Sequence, residues 1–370
     1  MTPMRPEGAG AFPEAVESPA PQTPDRGPLY AALDLGTNSC RMLIAHPKGS
    51  QFQVIDSFSK SVQLGQGLES SGKLSRASMN CTVNAMRICR QKLERHGVTN
   101  MRLVATEACR RARNGENFVA QVRRETGLEL EIIKPEEEAR LAVISCAPLV
   151  STKTEQLLVV DIGGGSTELV WIDLTNVPER ERPRAIMRLH KGFKSDPGPF
   201  AAARVVDWIS VPLGVATLRD QFEDVEDDAA RFALMSWFFE ESLEDFSPYA
   251  AAQTREGFQI VGTSGTVTTV AASHLGLKRY DRTKVDGLRM STDQIDAVIQ
   301  NYLNMGPAGR RADPRIGKDR QALIMSGAAI LQTLMRLWPT DRLSVADRGL
   351  REGLLYAQMS AHGVLEDTPY

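Results

Sequence analysis

The sequence contains few residues of the types that form disulfides or zinc sites. Its five cysteines include no Cys-x-x-Cys pair and no disulfide-like spacing, and its five histidines form no paired ligand motif. This pattern is typical of reduced thiols in the cytosol, where disulfides rarely persist. We therefore expect free cysteines and no zinc site.

Long apolar runs and a strong net charge are also absent. No stretch approaches the roughly 18 consecutive apolar residues of a membrane-spanning helix, and the N-terminus lacks the apolar core of a signal peptide. The formal net charge is −2, which gives no general attraction to nucleic acid or to a membrane surface. We expect a cytoplasmic protein that binds neither, so a polyanionic substrate would need a local basic cleft.

The two commonest nucleotide-binding motifs are missing as well. The fragment Gly72-Lys73-Leu74 resembles part of a P-loop, but it lacks the Ser or Thr that would reach magnesium. The triple glycine at 163–165 leads into a strand, whereas the P-loop and dinucleotide motifs lead into a helix. The sequence therefore excludes these two classes and leaves a hairpin turn as the candidate phosphate cradle.

The chain is long enough for two domains, each with its own core. Residues 1–28 form a proline-rich segment that we expect to be a disordered tail. From Leu29 the patterns predict the order β-β-β-α-β-α-β-α, and the second half begins in the same way, with strands at 156–162 and 168–173. For the third strand of that half the best candidate is 185–189, followed by a Pro/Gly-rich stretch at 191–204 outside the core. The repeated order predicts an internal duplication.

The triple-glycine turn of the second half carries the clearest chemistry. Three successive glycines expose backbone N–H groups that can form an anion-binding nest. Asp161 and Glu168 flank the turn and would repel a phosphate unless a divalent cation lay between them. Mg²⁺ commonly binds one or two carboxylates together with phosphate oxygens. The turn therefore predicts a phosphate site with magnesium.

Two further turns are candidate phosphate sites. Asp34–Ser39 closes the first hairpin and adds hydroxyl and amide donors, although an ordinary polar hairpin would look the same. Gly262–Thr266 connects a strand to a helix start, where free N–H groups and the helix dipole attract anions. A plain capped helix is the alternative for this second turn.

Two charged segments could complete the site. The acids Glu136, Glu137 and Glu138 begin a helix, where they suit the helix dipole, but one of them could activate a water as general base. The pattern alone does not choose among them. The segment 110–113 carries three arginines, which could clamp phosphates or could form a solvated basic turn.

Six of these segments, in this order, resemble the exopolyphosphatase / guanosine pentaphosphate phosphatase (Ppx/GppA) family. The resemblance covers about residues 29–360. It rests on the motifs DLGTNS at 34–39, ATEACRRARN at 105–114, EEEARL at 136–141, DIGGGSTE at 161–168, GTSGT at 262–266 and DRGLREG at 347–353.

The resemblance implies roles for individual residues. Glu138 would be the base that activates the attacking water, and Asp161 and Glu168 would hold Mg²⁺, with a monovalent cation such as K⁺ left open. Arg110 would act with the phosphate-binding turns at the terminal phosphates. Those turns comprise Gly36, Thr37, Asn38, Ser39, Gly163, Gly164, Gly165, Ser166, Gly262, Thr263, Ser264 and Gly265.

The resemblance also implies the fold. It predicts an α/β protein of two duplicated actin-like (ribonuclease H-like) domains, in the superfamily of sugar kinases, Hsp70 and actin, with the active site in the cleft between them. We expect the first domain at 29–135, joined by the C-terminal helix at about 349–366, and the second at 136–348. A homodimer is also expected.

Hydrolysis of inorganic polyphosphate from its ends is the leading functional hypothesis, and removal of the terminal phosphate of guanosine pentaphosphate is the alternative. An ATP-dependent kinase and a non-catalytic sensor of polyphosphate or guanosine penta- or tetraphosphate are further alternatives. Two departures from the family bear on substrate preference. Longer members carry an extra C-terminal helical region for which this chain ends too soon, and the stretch 178–204 is longer than usual and has no assigned role.

Overall fold

The computed structural model describes residues 27–193, 203–251 and 256–365, which form two mixed β-sheets flanked by helices. The first sheet has the strand order β3-β2-β1-β4-β5, and the second has the order β10-β11-β9-β6-β7-β8. The strands are β1 (Tyr30–Leu35), β2 (Ser39–Lys48), β3 (Gln51–Ser61), β4 (Asn100–Ala105), β5 (Glu131–Ile132), β6 (Gln156–Ile162), β7 (Thr167–Asp173), β8 (Arg204–Val211), β9 (Phe258–Thr263), β10 (Arg289–Met290) and β11 (Leu343–Ala346).

The helices cover both faces of these sheets. They are α1 (Leu68–Ser71), α2 (Arg76–Arg95), α3 (Glu107–Arg111), α4 (Gly115–Thr126), α5 (Pro135–Cys146), α6 (Arg182–Arg188), α7 (Val215–Gln221), α8 (Asp228–Glu241), α9 (Ser247–Ala251), α10 (Gly265–His274), α11 (Arg282–Val285), α12 (Thr292–Ala312), α13 (Ile324–Leu337) and α14 (Leu350–Ala361).

The two sheets repeat one topology. In the first, β1 pairs with β2 antiparallel and with β4 parallel. In the second, β6 pairs with β7 antiparallel and with β9 parallel, and β9 pairs with β11 parallel. The central strands β1 and β6 are almost wholly buried and apolar, as expected of strands covered on both faces. The expected pair of duplicated actin-like α/β domains is thus confirmed.

The third strand of the second repeat was predicted in the wrong place. Residues 185–189 belong mainly to helix α6, whose proline at the second position fixes a backbone angle suited to a helix start. The strand is instead β8, which pairs antiparallel with β7 and brings Ser210 opposite Glu168. The Pro/Gly-rich stretch at 191–204 is described only in part, and residues 1–26 of the expected tail lie outside the described residues.

Helix α5 lies between the two sheets. Its residues Ala139 and Val143 pack into an apolar cluster with strands of the second sheet, whereas Leu141 and Ile144 pack into a cluster with β1 and β4. The C-terminal helix α14 joins that second cluster, so the chain returns to the first sheet at its end. We call each sheet with its helices a lobe. The domain boundary at residue 135 stays a prediction.

All five cysteine thiols are free, and four of them are buried. Within the described ranges, no helix is both long enough and apolar enough to cross a membrane. The expected homodimer and cytoplasmic location stay predictions.

Candidate active site

One cleft between the lobes brings together the three predicted phosphate turns. Nearly all of the predicted turn residues line it, namely Gly36, Thr37, Asn38, Ser39, Gly163, Gly164, Gly165, Ser166, Thr263, Ser264 and Gly265. Gly262 does not line the cleft. It lies in β9, where an added Cβ would come 3.3 Å from both methyl groups of Val267. Its role is therefore to let helix α10 pack closely on the strand.

The carbonyls of the first turn are hydrogen-bonded within the same lobe. The Gly36 N–H donates to Ser39 O over 3.0 Å and closes the turn. The Thr37 carbonyl accepts from Gly65 N, and the Asn38 carbonyl accepts from the amides of residues 62 and 63. These bonds fix the turn to the segment that follows β3.

The second turn is held in the same way by the start of α7. The Gly163 N–H closes the turn on Ser166 O over 2.9 Å. The amides of Val215 and Ala216 then donate to the carbonyls of residues 163 and 164, at 2.9 and 2.8 Å. Among the described residues, no protein acceptor is found for the amides of residues 37, 38 and 164–166. Such free amides form an anion-binding nest.

The two turns touch one another across the cleft. An added Cβ on Gly164 would lie 3.2 Å from Asn38 N, and one on Gly165 would lie 2.4 Å from Thr37 Oγ1. Thr37 Oγ1 is the buried side-chain polar atom that has no hydrogen-bond partner within the described part of the chain. A buried hydroxyl without a partner is costly. It is therefore a donor left for a ligand.

The third turn ends in a helix start that faces the same cleft. Ser264 has φ 156° and ψ 171°, a conformation rare outside glycine that often occurs at functional sites. Its Oγ accepts from Val267 N over 3.1 Å and caps α10. Arg320 donates to the Gly265 carbonyl over 2.8 Å. The helix start thus combines free N–H groups with a nearby guanidinium.

Of the three acids that begin α5, the structure places only Glu138 in the cleft. Successive helical side chains point in different directions, so neighbouring acids cannot share one site. Glu136 is exposed, and Glu137 pairs with Arg102 at 2.8 Å and with Arg140 at 3.1 Å. Glu138 is 8% exposed and lines the cleft.

Arg110 lies behind Glu138 and does not line the cleft. Its Nη1 donates to Glu138 Oε2 over 2.8 Å and to the Ile133 carbonyl over 2.9 Å, while its Nη2 donates to Glu107 Oε2 over 2.7 Å. This geometry orients the Glu138 carboxylate. The expected contact between Arg110 and phosphate stays a prediction.

Sequence reasoning missed Glu107, which lines the cleft and is 8% exposed. Its Cγ would lie 2.9 Å from a Cβ on Gly165, so it packs against the triple-glycine turn. The available signal was its position two residues after β4, at the edge of the sheet where the cleft opens.

The two expected metal ligands lie at different depths. Asp161 lines the cleft, whereas Glu168 is buried behind it and accepts from the Ser166 and Ser210 hydroxyls at 2.7 and 2.8 Å. The register of β6 and β7 places Asp161 directly opposite Glu168. Neighbouring positions on one antiparallel pair thus supply both carboxylates.

The buried carboxylates of the cleft raise one another's pKa. Burial, and then the charges of Glu138 and Asp34, raises the pKa of Asp161 to about 8. Burial and the charge of Asp161 likewise raise the pKa of Glu168 to about 8. Burial and the charge of Glu168 hold the pKa of Glu138 well above its usual range, although Arg110 acts in the opposite direction.

These residues fit a magnesium ion whose coordination is completed by oxygen atoms of the substrate. In the described ranges no three or more His, Cys, Asp or Glu side chains group into a preformed cage. Mg²⁺ does not need such a cage, because one or two carboxylates with phosphate oxygens and water suffice. A dication would also relieve the mutual repulsion of the buried carboxylates.

The cleft contains four arginines that the sequence analysis did not single out, namely Arg41, Arg320, Arg348 and Arg351. Arg41 lies opposite Asp34 in the register of β1 and β2. Arg348 is fixed by an ion pair with Asp286 at 3.0 Å. These arginines supply positive charge for a polyanionic substrate, next to the five carboxylates that line the same cleft.

Known proteins resemble this chain in sequence and in fold. A guanosine-5'-triphosphate,3'-diphosphate pyrophosphatase of Aeromonas salmonicida is 29% identical over 330 residues, which cover 89% of this chain. The chain spans only 59% of that relative's length. A Ppx/GppA family member of Aquifex aeolicus superposes with a TM-score of 0.70 and 27% identity, covering 90% of this chain and 98% of that structure.

A second solved structure, an exopolyphosphatase-like protein, gives a TM-score of 0.72 and 26% identity, covering 88% of this chain and 97% of that one. The family model for the Ppx/GppA phosphatase family matches residues 43–362, which is most of the described chain. This protein therefore belongs to the Ppx/GppA phosphatase family.

Proposed function

We propose that this protein hydrolyses the terminal phosphoanhydride bond of a polyphosphorylated substrate, and that guanosine pentaphosphate is the preferred one. The observation that carries the proposal is the Glu138 carboxylate, held by Arg110 over 2.8 Å in a cleft whose amide turns suit phosphate. A water between this carboxylate and a bound terminal phosphate would be poised for attack.

Each group of residues in the cleft has a separate role in hydrolysis. Glu138 takes a proton from the attacking water, whose oxygen forms a bond to the terminal phosphorus as the bond to the bridging oxygen breaks. The amides of the two turns and the Thr37 hydroxyl bind the phosphate oxygens. Asp161 and Glu168 would hold Mg²⁺, which supplies charge neutralisation when bound. Positioning and electrostatics are the main contributions to phosphoryl transfer.

The preferred substrate proposed here is the one that the sequence analysis gave as the alternative. The similar pyrophosphatase from Aeromonas is named for guanosine pentaphosphate, which supports the alternative better than the leading hypothesis. Inorganic polyphosphate remains the second candidate, because a solved relative at 26% identity is described as exopolyphosphatase-like.

The test is phosphate release by the purified protein with Mg²⁺, measured side by side on guanosine pentaphosphate and on inorganic polyphosphate. We expect orthophosphate from the nucleotide at the higher kcat/KM. A clear preference for polyphosphate would instead support polyphosphate as the main substrate. Release from neither substrate, or transfer only to an added acceptor, would contradict hydrolysis.

A further inference from the structure

An exposed aromatic ring stands at the rim of the cleft. Tyr280 is 47% exposed, one of few large apolar side chains on the described surface. Its hydroxyl interacts with the side chains of Asp347 and Thr268, and both of these residues line the cleft. Tyr280 therefore lies next to residues of the cleft wall, although it does not line the cleft itself.

The segment that carries Tyr280 is fixed to the cleft wall. Arg282 donates to the Asp347 carbonyl over 2.6 Å and lies 3.5 Å from its carboxylate. Asp281 caps helix α11 by accepting from Thr283 N over 3.0 Å. The backbone that carries the ring is thus anchored before a ligand arrives, which lowers the entropic cost of binding.

Charges of both signs lie near the ring. The Tyr280 hydroxyl interacts with the Asp347 carboxylate, whereas Lys278 and Arg279, which precede Tyr280, are exposed cations that could attract an anionic ligand. Aromatic rings beside cations bind nucleotides by stacking on the base while the cations attract the phosphates. An inorganic phosphate chain has no planar group that could use the ring.

We propose that Tyr280 forms a nucleoside-binding subsite, in which its ring stacks on the base of a nucleotide whose phosphate chain lies in the cleft. The inference rests on the proposed function for the position of the phosphates. It assigns the substrate class, because a ring at this rim can stack on the base of a nucleotide, whereas inorganic polyphosphate has no base.

The test compares kcat/KM for guanosine pentaphosphate and for short inorganic polyphosphate in the full chain. Tyr280→Ala should lower the value for the nucleotide about tenfold, which is within the usual effect of removing one base-stacking ring. The value for polyphosphate should stay within about twofold of wild type. Tyr280→Phe keeps the ring and should keep the nucleotide value within about twofold.

Trp237→Ala is the matched control, because Trp237 is also an exposed aromatic (56%) but lies on α8, a helix that contributes no residue to the cleft lining. Trp237→Ala should leave kcat/KM unchanged for both substrates. Equal losses for both substrates in Tyr280→Ala, or no loss for the nucleotide, would overturn the subsite. If wild type hydrolysed neither substrate, the proposed function would fail, but calorimetry with a non-hydrolysable guanosine triphosphate analogue would still decide the subsite. If Tyr280 forms the subsite, Tyr280→Ala should weaken the binding of this analogue about tenfold.

Discussion

Glu138 combines two properties that a general base needs, namely a fixed orientation and a raised pKa. Arg110 supplies the first through a charged hydrogen bond of 2.8 Å. Burial and the charge of Glu168 supply the second. A base whose pKa lies nearer the working pH accepts a proton more readily from water than an ordinary carboxylate does.

Glu138→Gln should therefore lower kcat at least about 100-fold, because general-base catalysis typically contributes 10²–10⁴-fold. Substrate affinity should change little, since the amide keeps the shape of the carboxyl group. Phosphate release and equilibrium binding measured on the same preparation separate these effects.

Glu137→Gln is the control for this substitution. Glu137 is adjacent in sequence but pairs with Arg102 and Arg140 away from the cleft. It should retain near wild-type activity, and an equal loss in both variants would contradict the assignment of the base.

The raised carboxyl pKa values also predict how stability depends on pH. A carboxyl group with a folded-state pKa of about 8, as in Asp161 and Glu168, binds its proton more tightly in the folded than in the unfolded chain, where its pKa is ~4. The contribution of these groups to stability is then largest below the unfolded value and is lost as pH rises toward 8.

Without metal, thermal unfolding at pH 8 should therefore occur at a lower temperature than at pH 6. Mg²⁺ binds the ionised carboxylates, so it should raise the unfolding temperature more at pH 8 than at pH 6. Asp161→Asn should weaken both trends. A magnesium effect that is the same at both pH values and in this variant would argue against Asp161 as a ligand.

At the scale of elements, the second phosphate turn depends on helix α7. An added Cβ on Gly214 would lie 2.5 Å from Gly163 O and 2.6 Å from Gly165 N, which are backbone atoms that cannot move freely. Its φ of −110° is open to any residue, so the constraint on this position is steric.

Gly214→Ala should push α7 and the turn apart, with a loss of about 1–3 kcal/mol in unfolding free energy and a marked drop in kcat/KM. Urea unfolding and phosphate release measure the two effects. Gly317→Ala is the matched control, because Gly317 also precedes a helical turn but has open space around its Cα. Wild-type behaviour of Gly214→Ala would show that the turn does not need this contact.

Local patterns in the sequence predicted the elements that carry the site. The three turns lie where the glycines and small residues placed them, and helix α14 (Leu350–Ala361) lies where the family resemblance placed a C-terminal helix. Strand β8 was missed because it follows a Pro/Gly-rich stretch and its alternation is only partial. Arg41 could not be predicted as a cleft residue, because tertiary packing alone brings it there, whereas the position of Glu107 just after β4 was a signal that could have been used. Three adjacent acids also gave no local basis for choosing Glu138.

At the scale of the whole molecule, the lobes meet where the two amide turns touch. A Cβ on Gly165 would lie 2.4 Å from Thr37 Oγ1 and 2.9 Å from Glu107 Cγ, both on the opposite lobe. Because residue 165 has no side chain, the two lobes lie close together, and the turns of both lobes could bind the same phosphate.

Gly165→Ala should hold the lobes apart and reduce kcat at least about tenfold, because displacement of catalytic groups by about an ångström is costly. Unfolding free energy should change by less than about 1 kcal/mol, since the new clash lies between lobes and not inside a core. Gly317→Ala again serves as the control. Unchanged kcat would show that contact between the turns is not required.

The facing turns also bear on the product. The amides that would hold the terminal phosphate of the substrate would hold the free orthophosphate equally well, now enclosed by both lobes. Orthophosphate would then leave only when the lobes separate, so their opening rate would set an upper limit on turnover. Added orthophosphate should accordingly compete with substrate, and the enzyme would slow as its own product accumulates.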